Sequence, residues 1–220
     1  MPALSGPVVP PASGGPARQL VVLLHGWGAN GDDLIGLAPA WARALPDARF
    51  VSPHAPDPCD QNPMGRQWFS FNQATPAGLL RGAERARAMI EQFVESELAR
   101  LKLPAERAAL VGFSQGAMMA LHVGLRRVPA LGAILGFSGA LIGAETLAAE
   151  AKARPPILLV HGDADPVVPV ESLHEALDSL GHAGIAAQFH IARGLGHGID
   201  EEGLALGAQF LRESLAAPLT

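Results

Sequence analysis

Cysteine occurs once in the 220 residues, as Cys59, so no intramolecular disulfide can form and folding cannot depend on an oxidising compartment. Long apolar runs are also missing. The longest strongly apolar run, Leu20–Leu24, is far too short to cross a bilayer. The opening stretch, MPALSGPVVPPASGGPARQ, has no charged segment ahead of an apolar one, and its prolines would break such a run, so no signal peptide is expected. Basic blocks are absent too: Lys and Arg are scattered and the net charge is −5, which argues against a nucleic-acid partner. These absences together make a soluble cytoplasmic protein without a membrane span the expectation.

What is present suits one globular domain with a sizeable core, since apolar residues make up 49% of the chain. Residues 1–17, rich in Pro, Gly and Ser, read as an extended lead-in with room for one short edge strand, and 18–220 as a single domain. Within it, short apolar or β-branched runs suit buried strands: Leu20–Leu24, Arg49–Ser52, Ala108–Phe113, Ala133–Phe137, Ile157–His161 and Ala187–Ile191. Helical apolar spacing covers about 33–45, 76–101, 115–127, 170–181 and 200–216, with Thr75-Pro76 supplying an N-cap and a first-position proline. Strand and helix in alternation imply an α/β fold, a mostly parallel central sheet with helices on both faces. Pro53–Gln73 reads as a long Pro-rich loop, and loops of that length in a compact domain usually serve function.

Gly112-Phe113-Ser114-Gln115-Gly116 matches G-x-S-x-G, with a strand run before it and a helical run after it. Three fixed positions arise often by chance, so the flanks carry the weight. On a sharp strand-to-helix turn a strained serine is lifted clear of the sheet, and the glycines remove side chains where strand and helix crowd. Ser138, in Gly136-Phe137-Ser138-Gly139, competes. No glycine follows it by two positions and Leu141-Ile142-Gly143 begins no clear helix, so it reads as a lining or structural residue.

A serine hydroxyl needs a base, and the base an orienting acid; on such a fold they follow the serine as acid, then histidine. Ile157–His161 runs into Gly162-Asp163-Ala164-Asp165-Pro166, which places carboxylates at the carboxyl end of a strand. Asp165 is favoured as the acid because Pro166 disfavours a helical backbone before it, and Asp163 reads as a turn former. His197 follows the last strand run between two glycines and precedes the final helix, which makes it the candidate base. His122 and His174 fall in helices, His182 near a helix end, His190 in a strand and His54 too early. His25 and His161 precede glycines at strand exits. The His25-Gly26-Trp27-Gly28 turn ends the first strong strand, and turns of this kind supply an oxyanion amide; Trp27 N–H is assigned that part, paired with Gln115 N–H at the helix start.

The segments LLHGWGANGDDLIGLAP, PHAP, GFSQGAMMAL, FSGAL, HGDADPVVP and GLGHGID resemble the phospholipase/carboxylesterase family, which includes the acyl-protein thioesterases, over nearly the whole chain. The resemblance implies a compact α/β-hydrolase fold without a large cap, no cofactor and no metal, and a triad of Ser114, Asp165 and His197 with amides of Trp27 and Gln115. It implies a serine carboxylesterase acting on short- to medium-chain acyl esters or thioesters; lysophospholipase and acyl-protein thioesterase are the alternatives within the family. An inactive hydrolase-like binding protein is the alternative of another class, although no triad member is missing. The partner is then a small-molecule acyl ester, and a homodimer is allowed by the resemblance without any exposed stripe to argue for it. QNPMGRQWFSF (61–71) departs from the eukaryotic thioesterase-like members and resembles bacterial relatives. Trp68, Phe69, Phe71 and Met64 there, with Val168 beyond the acid, are candidate substrate-binding residues; ordinary packing under a long loop is the competing reading.

Overall fold

The computed structural model describes residues 3–72 and 75–216. The outer ends of the expected lead-in and domain, and Gln73 at the end of the Pro-rich stretch, lie outside them. Among the described residues nine strands and seven α-helices follow in chain order: β1 Val8–Val9, β2 Gln19–Leu24, α1 Gly31–Leu34, α2 Ala38–Trp41, β3 Ala48–Val51, β4 Asp57–Pro58, β5 Arg66–Gln67, α3 Pro76–Leu101, β6 Ala108–Phe113, α4 Gln115–Arg126, β7 Ala133–Phe137, α5 Ala144–Glu150, β8 Ile157–Gly162, α6 Glu171–His182, β9 Gln188–Ala192 and α7 Glu201–Ala216. The main sheet runs β1-β3-β2-β6-β7-β8-β9, parallel throughout except that β1 pairs antiparallel with β3.

The central strands are apolar on both sides because helices cover both faces. Along β2, Leu20, Val22 and Leu24 join one core cluster with residues of α3, α4 and α6, while Val21 and Leu23 join the other with Trp41 and Phe210, Leu211 and Leu215 of α7. Trp41 is fully buried between its helix and the sheet, stacks on Phe137 at 6.4 Å and donates its indole N–H to Leu204 O at 2.9 Å. The fold is thus the α/β arrangement expected, and no helix of the described residues is long and apolar enough to cross a membrane.

Three expectations need correction. The helix expected over 33–45 is split into α1, a 3₁₀ turn at Ile35–Leu37 and α2. Pro39 explains the break, since it has no N–H to offer the carbonyl four residues back. A helix does follow Ser138, but only at Ala144. Its N-cap is Gly143, left-handed at φ 69 and without a side-chain cap bond, so no capping residue announces it. The Pro53–Gln73 stretch is not structureless either: β4 and β5 pair antiparallel within it.

All parallel strands end on one edge of the sheet. The loops after β2, β6, β7, β8 and β9 therefore meet there, where open α/β sheets bind ligands.

Candidate active site

Ser114 sits between β6 and α4 with φ 54 and ψ −118, a conformation that side-chain-bearing residues rarely adopt. The turn closes only because its flanks have no side chains. A Cβ on Gly112 would lie 2.1 Å from Gly116 O, and one on Gly116 would lie 1.8 Å from Leu24 O. Ser114 N–H donates to Phe137 O at 2.9 Å, and its C=O accepts from Ala117 N–H at 2.9 Å and Met118 N–H at 3.1 Å. Its hydroxyl makes no cap bond to the helix, so the side chain stays free for chemistry.

Asp165, 7% exposed, lies just beyond β8. One carboxylate oxygen accepts from the N–H groups of Val167 (2.8 Å) and Val168 (2.9 Å); the other accepts from His197 Nδ1 at 2.7 Å. Burial pushes this carboxyl up. The bond from His197, the two amides and the His197 charge outweigh it, and the net position is below the ordinary carboxylate range. With Nδ1–H pointing at a carboxylate, neutral His197 keeps Nε2 as its acceptor. The ring lies 4.9 Å, centroid to centroid, from Phe113, the residue before Ser114.

The loop bearing His197 is held against the loop bearing Asp165. Asp163 N–H donates to Ala192 O (3.1 Å), Ala164 N–H to Leu195 O (3.0 Å), and Gly194 N–H to Asp163 Oδ1 (2.5 Å). Gly162 permits the approach, since a Cβ there would meet Leu195 O at 2.2 Å. Asp163 thus ties the two loops together, and Asp165 holds the His197 ring. Around this pair lie His161, which sequence reasoning passed over, and Ser138, read there as a lining or structural residue. Buried His161 donates from Nε2 to Val168 O at 2.8 Å and stands 3.6 Å from Asp165 Oδ2. Ser138, left-handed at φ 49 and buried, donates its hydroxyl to Gly198 O at 3.4 Å, next to His197.

The β2 turn packs on the elbow: a Cβ on Gly26 would lie 3.4 Å from Ser114 Cβ. Gly28 N–H donates to Arg66 O and Ala29 N–H to Gly26 O; among the described residues neither Trp27 N–H nor Gln115 N–H has a hydrogen-bond partner. His25, discounted on sequence grounds, shapes this turn. Its Nδ1–H donates to Gly26 O at 2.8 Å and its Nε2 accepts from Ala55 N–H at 3.0 Å. That pattern requires a neutral ring, and burial lowers its pKa to about 4.

One turn along α4 from the elbow, where Met118 N–H bonds to Ser114 O, lies an apolar cavity of about 240 Å³ lined by Phe69, Phe71, Leu79, Met118, Leu141 and Ile142, among others. Phe69 and Phe71 come from the stretch singled out in the sequence. Trp68 does not line this cavity. It is fully buried, donates its indole N–H to His25 O at 2.9 Å and packs on the His25 ring. Met64 is 88% exposed on a loop, and Val168 is buried with its amide on Asp165. The lining from α3, α4 and the segment after Ser138 carried no sequence signal, because it is gathered from three separate stretches of the chain. Among the described residues no three His, Cys, Asp or Glu side chains gather as metal ligands.

Known proteins share this organisation. The phospholipase/carboxylesterase family model matches residues 7–215. Esterase YpfH of Escherichia coli (strain K12) is 32% identical over 206 residues, covering 91% of this chain and 84% of that protein. Acyl-protein thioesterase 1 of Gibberella zeae is 30% identical over 213 residues, covering 89% and 90%. The crystal structure of esterase PE8 superposes with a TM-score of 0.92 at 46% identity, covering 97% of this chain and all of that one. The family model covers nearly the whole chain, and the relatives match it over most of their own length; the chain belongs to the phospholipase/carboxylesterase family.

Proposed function

We propose that the chain hydrolyses short- to medium-chain acyl esters or thioesters through an acyl-enzyme on Ser114, with His197 as base and Asp165 as its orienting acid. The observation that carries this reading is the strained Ser114, whose neighbour Phe113 packs 4.9 Å from the ring of a histidine bound through Nδ1 to a buried carboxylate 2.7 Å away. The substrate carbonyl docks with its oxygen toward the N–H groups of Trp27 and Gln115. His197 Nε2 takes the serine proton as Oγ attacks, and the two amides hold the oxyanion. His197 then hands the proton to the leaving alcohol or thiol, and water repeats the sequence on the acyl-enzyme. Asp165 fixes the ring tautomer and stabilises the imidazolium. The acyl chain enters the cavity of Phe69, Phe71 and Met118, where each buried methylene adds about 0.8 kcal/mol until the space is filled.

The test is a series of p-nitrophenyl esters from acetate to palmitate. We expect kcat/KM to rise through the short chains and fall for the longest, with a fluorophosphonate probe labelling Ser114. Hydrolysis that survives Ser114→Ala would overturn the reading.

A further inference from the structure

The two residues that offer the oxyanion amides in this reading send their side chains to one place. Trp27 Nε1–H donates to Gln67 Oε1 at 2.8 Å. The fully buried Gln115 side chain accepts from Trp68 N–H at 2.9 Å and donates to Phe69 O at 2.8 Å. Three consecutive residues, Gln67, Trp68 and Phe69, are gripped from both sides of the oxyanion position. Trp27 also packs edge-on against Phe71, with ring centroids 5.8 Å apart.

The far end of this strap is fixed as well. Gln67 Nε2 donates to Asp60 Oδ1 at 2.9 Å, and Gln67 Oε1 also accepts from Asp60 N–H at 3.2 Å. Ser70 Oγ donates to Asp60 Oδ2 at 2.5 Å. Phe69 is wedged between Phe71, at 5.4 Å, and Gly82 of α3, where a Cβ would come within 2.7 Å of its own. The wall of the apolar cavity and the oxyanion amides therefore form one hydrogen-bonded piece. Displacing Phe69 pulls on the Gln115 side chain, and displacing Gln67 pulls on Trp27.

We propose that the strap Gln67–Phe71 sets acyl-chain specificity, and that Gln67 and the Gln115 carboxamide are the positioning residues that lock it in register with the oxyanion hole. This rests on the esterase reading above and adds to it. An acyl chain that fills the cavity presses on a wall tied to the two amides, so part of its binding energy is expressed in the transition state and raises kcat instead of only lowering KM.

The experiment compares kcat and KM on p-nitrophenyl acetate and octanoate for the intact chain, Gln67→Met and Gln115→Met; the last retains its main-chain N–H. Active sites are counted by fluorophosphonate titration and folding by thermal melts. The intact chain should show a kcat several-fold higher on octanoate than on acetate, and that ratio should fall at least fivefold in each variant. A purely structural role would lower the melting temperature and the active fraction while leaving the ratio per active site alone. A ratio within twofold of the parent's in Gln67→Met overturns the proposal, and that variant decides the matter if Gln115→Met does not fold. Ester hydrolysis that is lost in Ser114→Ala together with an unchanged ratio sinks the strap and spares the esterase. Hydrolysis that persists in Ser114→Ala sinks both.

Discussion

Ser114 and Ser138 follow neighbouring parallel strands, and both have positive φ, 54 and 49. One hydroxyl is free of any helix cap while the other is tied to Gly198 O. A helix begins directly after Ser114, whereas five residues separate Ser138 from α5. The comparison teaches that backbone strain does not by itself make a nucleophile. At Ser114 the strained turn runs straight into α4, with Gln115 N–H at its N-terminus, and leaves the hydroxyl without a cap bond. At Ser138 the same strain turns the hydroxyl onto the loop that carries His197, where it serves position.

The sharpest way to break this contrast is to remove the two hydroxyls separately. Ser114→Ala should lower kcat by something on the order of 10⁴ to 10⁶, since a triad acts as one unit. Its melting temperature should hardly move, because that side chain caps nothing. Single-turnover and steady-state assays on a short p-nitrophenyl ester would measure the loss. A drop of less than a hundredfold would place the nucleophile elsewhere.

Next in size is the proposed acid. Asp165→Asn keeps the shape but can offer its N–H₂ to His197, which favours the wrong tautomer, and about 10⁴ in kcat should go. Asp163→Asn should cost far less, since among the described residues its side chain hydrogen-bonds only to the Gly194 amide. Equal losses in the two would contradict the assignment that Pro166 suggested.

Much of this was legible in the sequence, for reasons that differ by element. The central strands β6 and β7 were read residue for residue, because two-sided burial makes them continuous apolar runs, and α3 because Thr75-Pro76 announces its start. The elbow was legible because steric crowding leaves only glycine at positions 112 and 116. Hidden from the sequence was whatever depends on partners distant along the chain. His25 and His161 looked like strand-end residues, yet each holds a main-chain carbonyl at the site edge through a ring N–H. Ribbon β4–β5 is too short to show a period, and α5 starts on a glycine that has no side chain to signal a cap.

His25 gives a prediction of intermediate size that bears on the β2 turn, the partner of the elbow. Its ring is neutral in the native state, with a pKa of about 4, whereas an unfolded histidine takes up its proton near pH 6.5. Between those values the unfolded chain binds more protons, so stability falls as the pH drops, by roughly 3 kcal/mol over the window. Buried His122, lowered chiefly by its burial, adds in the same direction. Asp165 acts only at more acid pH: its folded pKa is depressed, so its contribution holds above the unfolded value near 3.9 and is lost as pH falls through the folded one. Urea unfolding from pH 7 to 4 should show the decline, and His25→Asn should flatten the slope by about one proton. An unchanged slope would mean that the ring is not held neutral.

The smallest effect tests the quieter serine. Its hydroxyl bond to Gly198 O is long at 3.4 Å and should contribute about 1 kcal/mol or less to holding the His197 loop. Ser138→Ala should therefore lower kcat/KM by no more than about fivefold and the melting temperature by about 2–4 °C. Ser138→Gly loses the same bond but relieves the left-handed backbone, which costs a side-chain-bearing residue about 1 kcal/mol or more, so it should melt at or above the alanine variant while sharing its kinetic defect. The pair separates strain from positioning at one residue. If glycine restored activity as well as stability, strain and not the bond to Gly198 would be what Ser138 contributes to the site.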